Sequence, residues 1–121
     1  MRSSSAVPYL TDIIEAIGHI REKSGATPLE AFKQDWEQQW IVQRGIEIIS
    51  EASRHLPELM KARYPALPWR KIAGVGNVLR HEYQQVSAPL LWAIVQDHLA
   101  PLDAACRTEL AREQTAERDK T

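Results

Sequence analysis

The residues best suited to chemistry lie between Pro68 and Val86, which read PWRKIAGVGNVLRHEYQQV. Asn77 and His81 are four apart, so on a helix they share one face. Tyr83 follows two residues later. Arg80 adjoins His81 but leaves the helix about 100° away around its axis. Histidine transfers protons near neutral pH, and arginine holds a phosphate through two parallel hydrogen bonds. An imidazole, an amide, a phenol and a guanidinium this close in sequence read as a phosphate-handling cluster. They read also as a solvated helix end whose positive charges complement the macrodipole. Spacing alone favours the second.

The rest of the chain offers less. His19, His55 and His98 lie away from that cluster and read as structural or solvent-facing. No second histidine stands at a zinc-like offset from His98, and no Ser-His-Asp signature is present. No metal and no cofactor are expected. Trp36, Trp40, Trp69 and Trp92 do not interleave with basic residues, so they read as core or interface anchors. From Leu59 to His81 there are Lys61, Arg63, Arg70, Lys71 and Arg80 and no acidic residue. Arg70 and Lys71 are therefore candidates for phosphate or RNA contact, against the plainer reading of a solvated basic face. A net charge of −1 argues against a surface built throughout to grip nucleic acid.

The elements that must position these residues read as helices. The 121 residues fit one domain. Residues 1–7 read as a flexible N-terminus, 8–110 as the helical domain and 111–121 as a flexible charged tail. Leu10, Ile13, Ile14, Ile17 and Ile20 form one face of a helix from about Pro8 to Lys23, stopped by Gly25. Thr27-Pro28-Leu29-Glu30 reads as a capping box opening a short helix. A long helix from about Asp35 to Leu56 carries a stripe of Trp40, Ile41, Ile48, Ile49, Ala52 and Leu56. Gly45 inside it predicts close approach of another helix. A short helix follows over 58–63, then one from Trp69 to about Tyr83. A last helix is capped by Ser87 and kinked at Pro101. There is no strand pattern. The expected fold is all-α, an antiparallel helical bundle of four to five main helices. The lone Cys106 reads as a small core residue. With no apolar leader and no run of roughly 20 apolar residues, no membrane partner is expected and the location reads as cytoplasmic.

These landmarks resemble the HepT-like HEPN proteins, the toxin halves of pairs whose antitoxin is a minimal nucleotidyltransferase of the MntA type. The resemblance spans about Tyr9 to Leu110. It rests on YLTDIIEAI, GIEIISEASRHLP, ARYPALPWRKIAGVGNVLRHEY and LLWAIVQDHLAPL. It implies a homodimeric, metal-independent RNA endonuclease with its site between protomers. His81 would act as general acid or base as the ribose 2′-hydroxyl attacks the phosphate. Asn77 matches the motif asparagine, and Tyr83 matches the tyrosine to which the antitoxin transfers AMP. The chain departs from the pattern twice. Gly76 stands where the family has arginine, with Arg80 the nearest substitute and Arg70 the next. Ser50 stands where the middle motif has glycine. Gly76 reads as an exposed helical position that would accept an arginine. The alternative implied function is a catalytically degenerate HEPN protein, serving as a nucleotidyltransferase-binding or nucleotide-binding accessory subunit.

Overall fold

The computed structural model describes residues 5–81 and 88–119, with the side chains of Arg80 and His81 outside the description. The described residues form only helices: α1 Val7–Ser24, α2 Leu29–Lys33, α3 Trp36–Ser53, α4 Glu58–Ala62, α5 Trp69–His81, α6 Ala88–Asp97 and α7 Leu99–Asp119. This is the all-α bundle that the periodicity predicts.

α1 and α3 pack antiparallel. Near one end Tyr9 stacks on His55, with ring centroids 4.5 Å apart. Towards the other, Gly45 lies against Ile20. A Cβ on Gly45 would stand 2.5 Å from Ile20 Cδ1, so this glycine is the contact that the sequence predicts. Leu10, Ile13, Ile17 and Ile20 of α1 meet Val42, Ile46 and Ile49 of α3 in one core, and Leu99, Leu102 and Cys106 of α7 join it. Burial pushes the Cys106 thiol up to about 12.

Several local expectations differ from the structure. Trp40 and Ile41 are exposed rather than part of the α3 stripe, and Trp40 meets Trp36 edge to face on the surface. The buried line passes instead through Val42, Gly45 and Ile46. Thr27 makes no capping box. Pro28 is the N-cap of α2 without a side-chain bond, and Thr27 Oγ1 donates to Gln38 Oε1, as does Ser24 Oγ. Gln38 is held in turn by Asp35, which caps α3. A long-range partner thus displaces the local one. Pro101 does more than kink. Lacking an N–H, it cannot bond the carbonyl four residues back, that of Asp97, and α6 ends at Asp97.

Ala6 is buried in the core, and the Val7 amide donates to Ser5 Oγ. α7 runs on through Asp119, so its helical backbone covers 111–119 of the stretch read as a charged tail. Its anchor is Glu109, 2% exposed despite its charge. Arg63 and Tyr64 both donate to that carboxylate, from 2.6 Å at their closest. The contact holds the Glu109 carboxyl below its ordinary value, chiefly through the Arg63 hydrogen bond. Among the described residues no helix is long and apolar enough to cross a membrane.

Candidate active site on helix 5

α5 turns its apolar side, Ile72, Val75 and Leu79, towards the core. Arg70, Gly74 and Asn77 lie on the opposite side and are exposed. His81 is the last residue of the helix, four residues beyond Asn77, so its backbone continues that outward line. Tyr83 lies outside the described residues.

The expected basic patch divides. Lys61 pairs with Glu58, and Arg63 is engaged with Glu109, so both serve the fold. Arg70 and Lys71 remain exposed on α5. The other histidines have their own settings. His55 lies against Tyr9 and within 3.3 Å of Glu51. His98 borders an apolar cleft of about 430 Å³ walled by Ile46, Ile49, Ile72, Val75 and Leu102.

The side of α5 that faces α3 carries the least expected feature. Gly76 is buried, not exposed, and its amide donates to Ser50 Oγ at 3.1 Å. Ser50 Oγ in turn donates to the Ala73 carbonyl at 2.8 Å. The two positions that depart from the family pattern therefore touch. A small residue on α5 and a hydroxyl on α3 occupy a seam where the pattern has a long side chain on α5 and a glycine on α3. Gly76→Arg alone should accordingly destabilise the fold, by about 1–3 kcal/mol as overpacking does. The paired change Ser50→Gly with Gly76→Arg should recover most of that loss. Thermal melting of the two variants checks this. Equal melting temperatures for Gly76→Arg and the unaltered chain would show that the seam has room.

Sequence reasoning missed one residue at this seam. Arg54, just past α3, donates from Nε and Nη2 to the same Ala73 carbonyl, at 3.2 and 2.9 Å. Its place four residues after Ser50 puts both on one face and is the signal that was available.

Comparison with known proteins fixes what this frame belongs to. The family described as Ribonuclease HepT-like matches residues 13–109. The chain belongs to the HepT-like ribonuclease family. This HepT-like chain is 38% identical to a protein of Thermococcus cleftensis named "Probable ribonuclease HepT", over 78% of its own length and 86% of that protein's. It is 32% identical to a candidate RNase of Methanocaldococcus jannaschii, over 74% and 82% of the two chains. It is 28% identical to another of Caldanaerobacter subterraneus, over 88% and 96%. No solved structure matches the HepT-like chain.

Proposed function

We propose that this protein is an RNA endonuclease acting without a metal ion, the toxin of a toxin–antitoxin pair. The observation that carries the reading is the outward line of α5, where exposed Asn77 precedes His81 by one turn within a chain of the HepT-like family. The ribose 2′-oxygen attacks phosphorus and the bond to the 5′-oxygen breaks. His81 takes the 2′-hydroxyl proton or supplies one to the departing oxygen, and Asn77 orients the phosphate. Arg70, Lys71 and Arg80 supply positive charge along the RNA. Two copies of α5 meet in a homodimer. Exposed Val78 and Leu90, together with Trp36 and Trp40 at 59% and 66% exposure, offer apolar surface for such a contact. Tyr83 accepts AMP from a nucleotidyltransferase antitoxin, and the added negative charge repels RNA. The protein works in the cytoplasm.

The burial of Gly76 against Ser50 favours a second reading, a degenerate family member that docks the nucleotidyltransferase and cuts nothing. One experiment separates them. The purified chain is incubated with an end-labelled RNA stem–loop in chelator, while light scattering measures its mass. Cleavage by a species of twice the chain mass is expected. A folded dimer that leaves the RNA intact favours the second reading, and a strict monomer removes the shared site. For Tyr83, incubation with the antitoxin, ATP and magnesium should add one adenylyl mass, lost in Tyr83→Phe. Equal modification of that variant would sink the assignment.

A further inference from the structure

The ribonuclease reading leaves a gap at Gly76, where the phosphate would meet no guanidinium from the motif position. Arg54 lies beside that gap. In an α-helix each carbonyl points towards the N–H four residues on, so the Ala73 oxygen points towards the turn holding Gly76 and Asn77. A guanidinium bonded to that oxygen sits at the level of that turn. The same oxygen receives Ser50 Oγ, and Ser50 Oγ receives the Gly76 amide. Arg54 thus approaches α5 at the point where the motif arginine would leave it.

Its state suits an anion. The Arg54 side chain is exposed. Two of the five guanidinium N–H groups are engaged by Ala73, leaving the others to point elsewhere. Among the described residues Arg54 forms no ion pair; Glu51 is with His55 and Glu58 with Lys61. Anchoring on a backbone carbonyl fixes the group, and none of the described carboxylates neutralises it. A fixed, unneutralised guanidinium is what a phosphoryl group gathering charge needs, since the donor need not reorganise as the reaction proceeds. Ala73 and position 80 are two turns apart on α5, so the two backbone positions fall on one line of the helix.

We propose that Arg54, supplied from the end of α3, replaces the missing motif arginine and contacts the non-bridging phosphate oxygens during RNA cleavage. The proposal rests on the ribonuclease reading. Its alternative is that Arg54 only ties α3 to α5, and Arg54→Gln distinguishes the two. Glutamine can still donate to Ala73 but carries no charge. The measurement is kcat and KM for the RNA stem–loop in chelator, with melting curves, for the unaltered chain, Arg54→Gln, Arg54→Ala, Arg54→Lys and Arg80→Ala. The expected result is a fall in kcat of about 10²–10³ for Arg54→Gln and Arg54→Ala, the scale of losing one transition-state donor. Arg54→Lys should retain part of the rate, and Arg54→Gln should melt near the unaltered chain. If the unaltered chain cuts and Arg54→Gln cuts equally well, the proposal alone is overturned. It is overturned likewise if Arg80→Ala silences cleavage and Arg54→Gln does not. If the unaltered chain is folded and cuts nothing, the ribonuclease reading falls and takes this role with it.

Discussion

His81→Ala is expected to lower RNA cleavage about 10²–10⁴-fold, the contribution typical of a positioned general acid or base. His81 is the last residue of α5, one turn after exposed Asn77. Transfer of a proton at the 2′- or 5′-oxygen needs a group that both takes and gives one near neutral pH, and imidazole alone among ordinary side chains does so. The loss should fall on kcat rather than KM, because the proposed role of His81 is proton transfer and not substrate binding. The limb of the pH–rate profile that a histidine acid or base creates near neutrality should also disappear. Steady-state cleavage of the stem–loop between about pH 5 and 9 tests both. An unchanged rate in a folded His81→Ala protein would remove this residue from the chemistry.

The second large effect concerns the fold. Glu109→Ala should destabilise the protein by about 2 kcal/mol, the scale of losing hydrogen bonds to a charged group, because the Arg63 guanidinium left behind remains in water. The carboxylate accepts from Arg63 at two points and from Tyr64 at 2.6 Å. Its removal strands the Tyr64 hydroxyl, whose pKa is raised by burial and then by the Glu109 contact. A loss of that size lowers the melting temperature by roughly 10 °C in a domain of this length. pH gives an independent check. The Glu109 carboxyl is held below 4.5 in the folded protein, chiefly by Arg63. Its contribution is therefore complete above the unfolded value and is lost as pH falls through the folded one. The unaltered chain should lose stability over that acid window, and Glu109→Ala should lose less. Urea titrations at pH 7 and about pH 3 measure it. A difference under about 1 kcal/mol at pH 7 would mean that water satisfies the stranded groups equally well.

Much of this architecture was legible in the sequence, for reasons that single residues make plain. The isoleucines of α1 repeat at helical spacing and can be buried only together, so periodicity located the helix and its inner face. Gly45 announced a close contact and makes one with Ile20. Periodicity failed where two apolar faces competed. Trp40 and Ile41 fit a stripe, but the line through Val42, Gly45 and Ile46 is the one buried against α1, and Trp40 and Ile41 stay outside. Local chemistry failed where a distant group offered more, as when Gln38 took the Thr27 hydroxyl from its capping role. Glu109 was not singled out by the sequence because its partners lie 45 and 46 residues earlier. At the candidate site, the spacing that puts Asn77 and His81 on one face was readable, whereas the exposure of Asn77 is seen only in the fold. The burial of Gly76 and the reach of Arg54 were not readable, since both depend on where α3 crosses α5.

Cys106 gives the bundle a built-in clock. It is the only cysteine in the chain, 1% exposed and held as the unreactive thiol by a pKa pushed up to about 12. Reaction with a thiol reagent requires thiolate and access, and the folded state withholds both. Each molecule that labels has first opened the packing between α7 and its neighbours. At saturating reagent the labelling rate in native buffer therefore equals the rate at which this helix opens, and at low reagent it reports the population of the opened form, without denaturant.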